Sequence, residues 1–179
     1  MSGTRWLSEA EQRVWREFSG AVDMLRAHVE GQLQRDARMP QTYYEVLVVL
    51  SEAPERTLRM SDLADRCRSS RSRLSHAVAR LEENGWVRRN SCPTDKRGSF
   101  ASLTPQGFAA LEAAAPGHVE AVREALFDAL TPEQVRALGE ISRAIRYQLA
   151  PRCAAARAEL EADDPVLDPA EDGDPAPLG

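Results

Sequence analysis

Residues 86–104 read Trp86-Val87-Arg88-Arg89-Asn90-Ser91-Cys92-Pro93-Thr94-Asp95-Lys96-Arg97-Gly98-Ser99-Phe100-Ala101-Ser102-Leu103-Thr104. Two short strands flank a basic turn that opens at Pro93 and closes at Gly98. Just upstream, Leu74, Ala77, Val78 and Leu81 recur at helical spacing, and Gly85 stands where a left-handed cap would end that helix. With those four residues facing a core, the helical period turns Arg71, Ser72, Ser75 and His76 outward near the helix start, with Arg73 at the edge of that arc. A helix with cations at its start, followed by a hairpin with cations at its tip, is how a winged helix-turn-helix meets a major groove and the adjacent minor groove.

In that reading each residue type has a task. Arg71 and Arg73 can bind guanine bidentately, and Ser70, Ser72, Ser75 and His76 can reach bases or phosphates. The positive N-terminus of the helix favours a phosphate nearby. Arg88, Arg89 and Lys96 are placed to contact the DNA backbone, which positions the protein and weakens with salt.

The pattern Asp95-x-Arg97, a strand ending in Leu103-Thr104, and Gly107 resemble the wing of the MarR family of bacterial transcriptional regulators. The resemblance covers roughly residues 10–150. It implies that Arg97 enters the minor groove while Asp95 orients it, and a narrow groove attracts one arginine through shape alone. It also implies a homodimer with interdigitated terminal helices. A small aromatic or phenolic effector is implied as well, entering a cleft between those helices and the winged core. Trp15, His28, Tyr43 and Tyr44 are the bulky, polar-tipped residues expected near such a cleft, although plain core packing also accounts for them.

Outward from the winged core, Val14, Phe18, Val22, Leu25, Val29 and Leu33 recur at helical spacing after a capping signature of Ser8 and Glu11. Tyr43 to Leu50 is apolar nearly all round, which predicts a buried second helix ended by Pro54. Thr57 to Met60 can form an edge strand, after which Ser61 is expected to cap a helix through Cys67. Thr104-Pro105 starts an alanine-rich helix with Leu111, Val119, Val122, Leu126 and Leu130 on one face, and Pro116-Gly117 is expected to kink or split it. Thr131-Pro132 starts a last helix carrying Val135, Leu138, Ile141, Ile145 and Leu149. The expected architecture is mostly α with a small β wing. It comprises an N-terminal dimerisation helix (1–39), a winged helix-turn-helix (40–104), C-terminal dimerisation helices (105–152) and an acidic disordered tail (153–179).

A net charge of −5 from 23 bases and 28 acids argues against a polyanionic partner until its distribution is considered. Residues 157–179 hold eight acids and one base, which leaves the rest at +2, and residues 54–104 hold eleven bases against six acids. The positive charge is concentrated where DNA would sit. No run approaches the roughly 18 apolar residues of a membrane span and no signal core follows Met1, so a cytoplasmic protein is expected.

Cys67, Cys92 and Cys153 are too few and too scattered for a disulfide framework, and peroxide-sensing MarR proteins carry their cysteine near the first helix, where this chain has none. His28, His76 and His118 form no close ligand pair, so neither a metal site nor a cofactor is expected. With no phosphate loop or nucleophile elbow, an enzyme is not expected either. The expected function is a DNA-binding regulator, most often a repressor, acting as a homodimer on a pseudo-palindromic operator. Two rivals stay open: a winged-helix module that binds protein without a specific DNA target, and a metal- or thiol-responsive sensor on the same fold.

Overall fold

The computed structural model describes residues 3–91 and 99–149. The wing turn with Cys92, Asp95, Lys96 and Arg97 lies outside those residues, as does the acidic stretch with Cys153. By backbone contacts the chain divides into two compact units, the first ending at Val122 and the second beginning at Arg123.

In the first unit, α1 runs Glu9–Asp36. Its capping box is complete: the Ser8 amide donates to Glu11 Oε2 at 2.7 Å and the Glu11 amide donates to Ser8 Oγ at 3.3 Å. The Ser8 amide, followed by the Ser8 hydroxyl, holds the Glu11 carboxyl below its usual range. α2 spans Gln41–Ser51, a 3-10 turn covers Pro54–Arg56, and β1 is Thr57–Arg59. α3 (Met60–Arg66) and α4 (Arg71–Glu83) form the helix-turn-helix. β2 (Val87–Ser91) and β3 (Ser99–Leu103) form the wing's strands, and α5 spans Pro105–Ala125. The antiparallel sheet has the order β1-β3-β2, which puts β1 at an edge as its sequence suggested.

All these elements converge on one core. Val29 and Leu33 of α1 meet Val46, Leu47 and Leu50 of α2, Leu63 of α3, Leu74, Val78 and Leu81 of α4, Ala101 of β3 and Leu111 of α5. Burying one such leucine stabilises the fold by about 1.5 to 3 kcal/mol. The four apolar residues expected on the inner face of α4 are all buried.

The junction after α4 is closed by hydrogen bonds. Gly85 at φ +73° allows the Trp86 amide to donate to the Leu81 carbonyl and its own amide to the Glu82 carbonyl, both at 2.9 Å. The Thr104 hydroxyl donates to the Gly85 carbonyl at 2.7 Å, with the Trp86 carbonyl 3.1 Å away, and accepts from the Gly107 amide at 3.0 Å. A Cβ at Gly107 would fall on the Trp86 carbonyl. This explains physically why Leu103, Thr104 and Gly107 form one pattern.

Three expectations need correction. Ser61 does not cap α3: the helix starts two residues earlier than such a cap implies, at Met60 with Arg59 at its cap position, and the Ser61 hydroxyl donates to Asp62 at 2.9 Å. Pro116-Gly117 does not split α5, which runs unbroken through Pro116. Glu112 and Pro116 both lie on the exposed side, so the carbonyl that loses its partner can meet water, while Gly117 lies against Gln32 of α1. α5 also ends at Ala125, before Leu126 and Leu130, and Val119 is 54% exposed.

The second unit holds a 3-10 turn (Phe127–Ala129) and α6 (Pro132–Leu149). The Thr131 amide donates to Gln134 Oε1 at 2.8 Å and the Gln134 amide to Thr131 Oγ1 at 3.4 Å, a second reciprocal cap. No residue of α6 is buried.

Candidate nucleic-acid interface

α4 begins at Ser70, whose Oγ accepts from the Arg73 amide at 3.3 Å. The Ser70 hydroxyl therefore satisfies one of the helix's unpaired first-turn amides. Opposite the buried stripe, Arg71, Ser72, Arg73 and His76 are exposed and Ser75 is half-buried. This is the outward arc expected from the helical period, with three basic side chains within its first two turns.

Arg88 and Arg89 sit on opposite faces of β2 and have different fates. Arg88 is exposed opposite Ser102. Arg89 turns toward α4: its Nη2 donates to the Ser75 carbonyl at 2.6 Å and its Nε lies 3.0 Å from Glu82 Oε2. The Arg89 amide also donates to Glu82 Oε1 at 2.9 Å. Glu82 and Arg89 thus clamp the first wing strand to α4, an arrangement that neither residue's position along the sequence announces.

Beside α4 lies a cleft of about 290 Å³ whose lining includes Arg59, Ser61, Arg71, Ser75, Arg89 and Ser99. Arg59 was not among the expected contacts. Its guanidinium lies 5.4 Å from the centre of the Phe100 ring, the residue it pairs with across β1 and β3. The end of an edge strand next to a helix start was the available signal for it.

The four residues proposed for an effector cleft are not gathered in one place. Tyr43 lines a larger hollow of about 690 Å³ together with Pro40, Arg73, His76 and Arg80. Tyr44 is buried, its ring centre 4.3 Å from that of His118. Trp15 and His28 are exposed on α1, separated by 13 residues and so by about 20 Å along the helix. Burial raises the Tyr44 hydroxyl's pKa and lowers that of His118, whose Nδ1 has no hydrogen-bond partner among the described residues.

Burial, reinforced by the nearby Glu45 charge, pushes the Cys67 thiol up to about 11, leaving it protonated at neutral pH and a poor redox sensor. No group of three or more His, Cys, Asp or Glu fit to hold a metal occurs among the described residues. None of the described helices is long and apolar enough to cross a membrane.

The fold and this surface can be compared with known proteins. The MarR family model matches residues 39–98. The crystal structure of Sco3205, a MarR family transcriptional regulator from Streptomyces coelicolor solved in complex with DNA, is 57% identical. It covers 84% of this chain and 95% of its own, with a TM-score of 0.81. AbsC, another MarR family regulator of that organism, is 40% identical, covering 82% of this chain and 98% of its own at a TM-score of 0.77. The transcriptional repressor YetL of Bacillus subtilis is 30% identical over 101 residues, which are 55% of this chain and 60% of YetL. With the buried stripe and basic arc of α4, the three-stranded wing sheet and near full-length likeness to two solved regulators, the chain belongs to the MarR family of winged-helix transcriptional regulators.

Proposed function

We propose that the protein is a cytoplasmic, homodimeric repressor that reads a pseudo-palindromic operator, placing one α4 in the major groove of each half-site. The observation that carries this reading is the division of α4 into a stripe locked in the core and an arc bearing Arg71, Ser72, Arg73 and His76 toward solvent. Arg71 and Arg73 read base edges, Ser70, Ser72 and Ser75 add short polar contacts, and Arg88 and Lys96 hold the backbone. Arg97, oriented by Asp95, enters the minor groove. Arg89 acts through the clamp with Ser75 and Glu82, fixing the wing's angle to α4.

Dimerisation is supported within each unit separately by large apolar side chains that stay exposed. They are Val14, Trp15 and Phe18 on α1, and Ile141, Ile145 and Leu149 on α6. Residues 1–39 and 105–152 are assigned to this role. A small aromatic effector would find its best seat in the hollow at Tyr43, because an occupant there touches Arg73 and His76 directly. Such a ligand releases DNA if it binds the free form more tightly than the DNA-bound form.

Selection of a binding site from random duplexes, followed by affinity titration, tests the reading. Arg71→Ala and Arg73→Ala should each lose about 1 to 3 kcal/mol on the selected operator and much less on random DNA. Equal losses on both would remove the base-reading role, and binding insensitive to salt would favour a protein-binding module instead.

A further inference from the structure

We propose that Arg59 forms a seat for one backbone phosphate of the bound DNA, in the cleft beside α4 that Arg71 also lines. The inference rests on the DNA-binding reading above and adds a contact from the sheet, outside both the reading helix and the wing tip. Three arginines, Arg59, Arg71 and Arg89, line one cleft, and no Asp or Glu lines it among the described residues. Their charges are not equally available. Arg89 is matched by Glu82 at 3.0 Å, whereas Arg59 and Arg71 have no ion pair among the described residues.

Asp62, the neighbour of the cleft's Ser61, already accepts from the Ser61 hydroxyl at 2.9 Å. Arg59 and Arg71 thus leave the cleft a positive charge that no residue lining it balances, and an anion entering it is attracted. Arg59 is also held in place: it ends β1, pairs with Phe100 and keeps its guanidinium over that ring. Arg71 stands in the first turn of α4, so a duplex that admits this helix into its groove carries its sugar-phosphate strand past the helix's side.

The test uses the full chain carrying Arg59→Gln or Arg59→Lys, with affinities for operator and random duplex measured between about 50 and 200 mM salt. Arg59→Gln should reduce the slope of log affinity against log salt by about 0.9 per protomer and weaken both duplexes by the same factor. Arg59→Lys, which keeps the charge, should retain the slope. An unchanged slope in Arg59→Gln overturns the proposal, and so does a loss confined to the operator, which would mean base reading. If Arg59→Gln also lowers the melting temperature, the lysine variant decides: a retained slope supports the seat and a lost slope overturns it. Displacement of wild-type DNA by inorganic phosphate beyond the effect of chloride at equal ionic strength, absent in Arg59→Gln, supports the seat, because the free ion and the DNA phosphate then compete for Arg59. Failure of the wild-type protein to bind either duplex refutes the regulator reading itself, a result distinct from all of these.

Discussion

The two halves of α1 carry one apolar period with opposite results. In the C-terminal half, Val29 and Leu33 are 5% and 0% exposed against the winged core; in the N-terminal half, Val14 and Phe18 are 68% and 43% exposed. The same spacing of side chains therefore says that a face will be covered, but not by what. In the first case the cover is the chain's own α2 and α5, and in the second it is another molecule if the dimer proposal holds. An amphipathic stripe longer than the local core is a sign of assembly.

That contrast can be broken experimentally. The largest effect is expected from Leu33→Ala, which should destabilise the protein by about 2 to 5 kcal/mol in chemical denaturation. Because Leu33 packs within its own chain, this loss should not change with protein concentration. Phe18→Ala should instead weaken self-association by about 1.5 to 3 kcal/mol per protomer, read by sedimentation across a dilution series. A concentration-independent loss for Phe18→Ala would place that side chain in an intrachain contact and erase the distinction between the halves.

The smallest effect concerns pH. Burial lowers the pKa of His118, so the folded state binds this proton less readily than the unfolded chain does. Its contribution to stability is intact above the ordinary histidine value of 6.5 and is lost progressively as pH falls below it. His118→Gln should flatten the fall in stability on that acid side, measured by denaturation at stepped pH. An identical pH profile would show that Tyr44 and its surroundings accommodate the charged ring.

Much of the frame was legible because periodicity records burial. Leu74, Ala77, Val78 and Leu81 announced the inner face of α4, and Ser8 with Glu11 announced the start of α1. What could not be read depends on partners distant in sequence. Glu82 and Arg89 are seven residues apart on different elements, and nothing in their spacing says that they meet. Arg59 read as an ordinary edge-strand residue until β3 supplied Phe100 beneath it. Trp15 and His28 shared a chemistry with Tyr43 and Tyr44 but not a place, because helix phase and rise separate them. Pro116 was read as a break, yet its exposure makes the missing bond tolerable.

The latch at Thr104 has a mechanical consequence. Between Gly85, just past the end of α4, and Pro105, where α5 begins, the chain travels through the whole wing, yet one hydroxyl ties the two ends together at 2.7 Å. With the Gly107 amide bound to that same oxygen and no space for a side chain there, the joint has little play. A torque applied along α5 therefore reaches the end of α4 through a few rigid bonds instead of through the hairpin. The wing hangs from this axle as a side arm between α4 and α5.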